Sequence, residues 1–120
     1  MKKVYNELKR YGVSIKGMWQ DFAISFCKDL GDDFEVIEGM VCFDNGKLLL
    51  AQTEDAEDQI DTLIHEVLHI ILDGAYLGEE EEIDGKHSLS NEELVRQITP
   101  SMVHFLRNNK KFLAVVLKSF

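Results

Sequence analysis

A chain of 120 residues has room for one domain with a single modest core. Its apolar content of 45% excludes an intrinsically disordered polymer. A net charge of −9 and a pI near 4.8 argue against a surface built to hold DNA, RNA or an anionic membrane, because phosphate binding needs a basic face. No apolar run approaches membrane-spanning length. The start, Met1-Lys2-Lys3, is basic, but Val4 to Arg10 contains no apolar segment of a secretory leader, so a cytoplasmic protein is expected. Cys27 and Cys42 sit in apolar stretches without C-x-x-C spacing and read as small, buried, reduced thiols.

Residues 2–10 read as a short helix with Val4, Leu8 and Tyr11 on one side, ended by Gly12. Residues 13–28 fit two patterns. Ile15, Met18, Trp19, Phe22 and Phe26 make a helical stripe, whereas Phe22, Ile24 and Phe26 alternate as in a strand. Gly17 suggests a hairpin turn in place of a helix interior. Gly39–Phe43 and Lys47–Leu50 flank Asp44-Asn45-Gly46, the composition of a type I′ hairpin turn. Acidic residues 52–58 suit a helix start, with Thr53 or Asp55 as N-cap. The helix that follows runs from about Asp55 to Leu72 and ends at Gly74 as C′ residue. Glu79 to Glu82 read as a solvated loop. Ser90 and Glu93 form a capping box with a Leu89/Leu94 staple, opening a helix whose apolar face includes Leu94, Val95, Ile98, Met102, Phe105 and Leu106. Pro100 must kink or divide it. Lys111 to Leu117 form a short terminal helix. There are no repeats or linkers, so residues 1–120 form one domain.

The helix over 55–72 carries His65-Glu66-Val67-Leu68-His69, an H-E-x-x-H pattern. Histidines four apart on a helix lie one turn above each other, about 5–6 Å apart at Cβ. Two imidazoles at that spacing can take two corners of a zinc tetrahedron, and Glu66 can serve as general base toward a metal-activated water. On the helical wheel His65, Glu66, His69, Thr62, Asp58 and Asp73 share one arc; Ile60, Leu63, Ile64, Val67, Ile70 and Ile71 share the other. Zinc needs a further protein ligand, and Asp73, His87, Glu92, Glu93 and His104 are the candidates. Glu93 is already explained as a cap, and His104 lies on the polar face. Glu92 lies on the shoulder of the apolar face near Val95, Val103 and Leu106, where a carboxylate needs a partner, which makes it the favoured ligand ahead of His87.

H-E-V-L-H followed by Asn91-Glu92 opening a second helix resembles the gluzincin arrangement of two histidines and a glutamate. The longer run, from the Phe43-Asp44-Asn45-Gly46-Lys47 hairpin through Asp61–Leu72 to Asn91–Val95, resembles small phage and prophage H-E-x-x-H proteins, distantly similar to ImmA/IrrE- and SprT-like minimal zincins. That resemblance covers about residues 13–117. It implies an α+β fold in which a small antiparallel sheet packs on the active helix and a second helix supplies a ligand. It also implies that residues 13–28 are strands, that His65, His69 and Glu92 hold Zn²⁺, and that Glu66 is the base. The implied activity is zinc-dependent hydrolysis of a peptide bond in an unidentified peptide or protein substrate. Residues 47–51 would be the edge strand that receives the substrate by strand addition. Leu72 and Ala75 stand where metzincins need Gly and His, and Arg96 stands where thermolysin-like enzymes place an aspartate, so outer-shell partners are reduced to Asp73 and Thr62. Tyr76 and His87 are oxyanion-stabilising candidates by nearness in sequence alone. The alternative is a non-enzymatic, zinc-stabilised interaction protein of a phage region, in which Glu66 is dispensable.

Overall fold

The computed structural model describes residues 4–27, 39–51, 56–77 and 90–120. Its elements are α1 (Val4–Tyr11), β1 (Ser14–Lys16), β2 (Asp21–Cys27), β3 (Gly39–Cys42), β4 (Lys47–Ala51), α2 (Ala56–Gly74), α3 (Asn91–Asn108) and α4 (Lys110–Lys118). The expected N-caps Thr53 and Asp55, the loop at Glu79–Glu82, Leu89 and His87 lie outside the described residues.

The ambiguous stretch after α1 is a hairpin. Ile15 of β1 pairs with Phe22 of β2, and both side chains are buried. Gly17 in the connection explains why a helix loses. A Cβ there would stand 2.9 Å from Phe22 Cε2 and 3.2 Å from Ile70 Cγ2, so the turn can approach α2 only as glycine. In α1 the buried side chains are Val4, Tyr5 and Leu8, while Tyr11 is exposed.

The Asn45-Gly46 hairpin forms, but not as a two-residue type I′ turn. Cys42 pairs with Lys47, leaving a four-residue connection, and of its residues Gly46 alone has positive φ, at 63°. Gly46 is fixed by its neighbour as well: its carbonyl accepts from Ala23 N–H, and a Cβ would lie 2.7 Å from Asp21 O.

The sheet is mixed, which corrects the antiparallel expectation. Its order is β1-β2-β4-β3, with β2 and β4 parallel and the other two pairs antiparallel. Lys47–Ala51 is therefore an inner strand and not the edge. Burial explains the choice: Leu48 and Leu50 are fully buried, and the most continuously apolar strand belongs between neighbours. Among the described residues the edges are β1 and β3.

Helix α2 lays Ile60, Leu63, Val67, Ile70 and Ile71 into one buried cluster with Ile15, Phe22, Leu48 and Leu50 of the sheet. Val4 and Leu8 of α1, Phe105 of α3, and Phe112 and Val116 of α4 complete that cluster. The C-terminus of α2 differs from expectation. Gly74 is still helical, and Tyr76 takes the left-handed C′ position at φ 62°. Leu77 N–H donates to Leu72 O and Tyr76 N–H to Asp73 O, the two bonds of a Schellman motif. Gly74 is needed for contact instead: a Cβ would meet Ser101 Oγ at 2.5 Å and Met18 Cβ at 3.0 Å.

Helix α3 begins as read, with Ser90 Oγ accepting from Glu93 N–H at 3.2 Å. It runs undivided through Pro100. Ser101 donates to Ile71 O at 2.7 Å, which also accepts from Ala75 N–H, and Gln97 donates to Ala75 O at 2.8 Å, so α3 fastens the last turn of α2. Buried Asn109 ends α3. Its side chain accepts from Lys16 N–H at 2.7 Å and donates to Lys16 O at 2.9 Å, binding the α3–α4 corner to β1.

Alanine is the better helix former, yet Gly74→Ala should destabilise the chain by about 1–3 kcal/mol through overpacking against Ser101 and Met18. Chemical denaturation reads this directly. A stabilised variant would show that α2 and α3 do not meet at Gly74.

Candidate metal centre

The helical repeat brings His65 and His69 to the same side of α2, and the structure sets their Nε2 atoms 3.2 Å apart. The rings are edge-to-face with centroids 4.9 Å apart. Both histidines are exposed, whereas Glu66 between them is buried, with 6% exposure. Glu66 Oε1 stands 4.0 Å from His65 Nε2. The donor atoms of His65, Glu66 and His69 all lie within 4.8 Å of one another, the one such group of metal-binding side chains among the described residues.

Two nitrogens bound to one tetrahedral zinc at about 2.0–2.1 Å lie about 3.3 Å from each other. The observed separation of 3.2 Å is within a tenth of an ångström or so of that figure, and both rings are accessible. The cluster can therefore coordinate a metal ion, and its donor set is consistent with zinc.

Glu66 is placed by the edge of the sheet. Its Cγ would be 3.0 Å from a Cβ on Gly39, and Thr62 Cγ2 would be 2.9 Å from the same point. A side chain at position 39 would thus push β3 off α2 or push Glu66 out of its seat. Gly39, Asp61, Thr62, His65 and Glu66 line a cleft of about 350 Å³, so the buried carboxylate and one imidazole face the same space. Sequence reading took Gly39 only as the start of a strand. Its role depends on which strand meets α2, and a linear pattern does not carry that.

Burial pushes the Glu66 carboxyl above its ordinary range; His69 and then His65 oppose this by favouring the carboxylate. A carboxyl whose folded pKa is raised binds its proton more tightly folded than unfolded. Its contribution to stability is complete below the unfolded pKa and is lost as pH rises through the folded one. In chelator-treated protein, Glu66→Gln should therefore be more stable than the parent at neutral pH, and the two should converge below the ordinary carboxylate range. Denaturation midpoints measured across pH test this; a gap that stays constant on acidification would exclude burial of the charge as its cause.

The remaining candidates among the described residues do not join the cluster. Glu92 is exposed, with 77% of its side chain accessible, and its Oε1 lies 3.4 Å from Arg96 Nη2 one turn on. It was expected on the shoulder of the buried face; the buried side chains of α3 are Ser101 and Phe105, and Val95, Val103 and Leu106 are exposed. Glu93 accepts from the Ser90 hydroxyl at 2.9 Å, as its capping role implies. Asp73 contributes its carbonyl, which accepts from Trp19 Nε1 at 3.4 Å. His104 is outside the cluster as well. Tyr76 is 78% exposed, its ring 5.2 Å from that of Trp19.

No described helix is long and apolar enough to cross a membrane. No protein-family model matches the chain, and comparison with curated proteins and with solved structures returns no match. The centre accordingly stands on its own geometry: a mixed α+β domain presenting a His-Glu-His cluster on one helix, consistent with the H-E-x-x-H mode of holding a metal.

Proposed function

We propose that the chain is a zinc-dependent metallopeptidase, with His65 and His69 as ligands and Glu66 as general base. The observation that carries this reading is a buried carboxylate beside two exposed imidazoles whose Nε2 atoms are 3.2 Å apart, opening on a cleft. A structural zinc site is closed by four protein ligands and has no use for such a carboxylate. Zinc held there would supply Lewis acidity and a more acidic water, with a pKa toward about 7. Glu66 would take the proton from that water and hand it to the leaving amine.

The substrate class proposed is an extended peptide. Edge strand β3, from Gly39 to Cys42, packs on α2 beside Glu66 and pairs on one side with β4. Its other side, unpaired among the described residues, would offer main-chain groups to a peptide by strand addition, the part expected of 47–51 from the sequence. Exposed Met40 lies on this strand. The resemblance to small phage and prophage H-E-x-x-H proteins supports the zinc site more than any named reaction.

Glu92 is carried forward as the proposed third ligand, with the condition that it exchange its surface partner Arg96 for the metal. An exposed i,i+4 ion pair is worth only about 0.3–0.5 kcal/mol. Zinc affinity of Glu92→Ala decides the point. A large loss assigns the ligand to Glu92; unchanged affinity with a small stability loss removes Glu92 and turns attention to His87. The test of the whole reading is zinc-dependent cleavage of a peptide library by the full chain, with chelation abolishing it and zinc restoring it.

A further inference from the structure

Helices α1 and α4 pack together and leave a second cleft of about 310 Å³, sharing no residue with the one at Glu66. Arg10, Lys111 and Lys118 line it, with Tyr11, Ala114 and Val115 as walls and Glu7 as its single carboxylate. We propose that this cleft is a binding site for a phosphoryl dianion, the phosphomonoester of a small molecule or of a lipid headgroup.

Charge placement is the first support. The chain is net −9, yet residues 101–120 hold four basic side chains and no acidic one. Arg10, Lys111 and Lys118 line one cleft and, among the described residues, none of them forms a salt bridge to a carboxylate, Glu7 included. Like charges gathered at one cleft repel one another, and in an acidic chain a neutralising partner would be the ordinary outcome. Three cations less Glu7 leave two positive charges, which a phosphomonoester dianion balances and a single carboxylate does not.

The donors fit as well. Lys111 Nζ spends one donor on Tyr11 O at 3.2 Å, and an ammonium has three. The Arg10 guanidinium lies 5.6 Å from the centroid of the Tyr11 ring, which holds it at the cleft while its planar fork suits phosphate oxygens. The volume is at the lower end of small-ligand pockets, about 300–1,000 Å³. A long polynucleotide would meet the acidic remainder of the surface, so a small phosphorylated group is favoured over nucleic acid.

The probe is glycerol 3-phosphate, titrated into the full chain without added metal and followed by amide shifts, with acetate at matched ionic strength as control. Saturable shifts are expected at Arg10, Tyr11, Lys111, Ala114 and Lys118, with Kd of about 1 mM or tighter. Arg10→Gln and Lys118→Gln, both exposed and remote from the core, should each weaken binding about ten-fold, one charge-assisted contact's worth, without changing the rest of the spectrum. Sedimentation with phosphatidylcholine vesicles containing phosphatidic acid, and not with phosphatidylcholine alone, would assign the group to a lipid; solution binding without sedimentation would assign it to a soluble ligand. Shifts that fail to saturate, that acetate reproduces, or that both substitutions leave unaltered would overturn the site, as would binding seen only with an oligonucleotide. None of these readouts depends on hydrolysis, so this proposal and the peptidase reading fail separately.

Discussion

Replacing either His65 or His69 with alanine should lower zinc affinity by more than about 100-fold, because even substitution of a group that merely orients a ligand costs about 10–100-fold. The fold should survive. Both imidazoles are exposed, neither is in the buried cluster, and among the described residues their polar contacts are with each other at 3.2 Å and, for His65, with Glu66 at 4.0 Å. Removing one leaves the other as a lone nitrogen beside a buried carboxylate, too few donors for a site that must displace water from the ion. Competition with a chromophoric chelator gives the affinity, metal analysis of the purified protein gives the stoichiometry, and circular dichroism checks the helices. His104→Ala is the matched control, since His104 is a described histidine outside the cluster. Equal zinc content in the parent, both site variants and the control would end the metal reading of the motif.

The pair was legible because its geometry is local. A four-residue spacing on a helix fixes two side chains on one side whatever the rest of the chain does, and the amphipathic pattern of 56–74 left no rival to a helix. The Ser90–Glu93 cap was legible for the same reason, being settled within a few residues, whereas residues 13–28 fitted helix and strand alike until Gly17 met Ile70 of α2. What failed was non-local. Nothing in Lys47–Ala51 says which strand of its hairpin will join β2; the sheet takes in the strand with the most apolar surface to cover, and that leaves β3 as the edge beside Glu66.

Glu92 shows the same limit within one helix. Helix α3 carries two apolar stripes, one through Leu94, Ile98 and Phe105 and another through Val95, Val103 and Leu106, of which only the first turns inward. Averaging both drew the inferred core side toward Glu92. Ser101, a polar residue, marks the true contact with α2, because its hydroxyl serves the carbonyl of Ile71. A wheel ranked by hydrophobicity cannot choose a serine. Tyr76 was missed at the end of α2 on similar grounds. Glycine is the usual C′ residue, but Gly74 was already committed to close contact with Ser101, so the left-handed position fell two residues later on a tyrosine, at a backbone cost of about 1–2 kcal/mol.

Glu66→Gln should retain zinc and fold while lowering hydrolysis of a cleaved peptide by about 10²–10⁴-fold or more, the usual loss when a general base is removed. Glutamine keeps the shape of the side chain, so the packing of Glu66 beneath Gly39 is preserved and the cleft keeps its walls. It removes only the capacity to take a proton. The loss should fall on kcat, because a proton is transferred in the transition state and not on binding. The parent should lose activity on acidification as the Glu66 carboxyl becomes protonated. The residual rate of the glutamine variant should lack this limb. Retained zinc together with lost activity separates proton transfer from metal binding, which an alanine at His65 or His69 cannot do. Full activity in Glu66→Gln would remove Glu66 from the chemistry and leave the zinc-stabilised interaction protein as the reading of the same cluster.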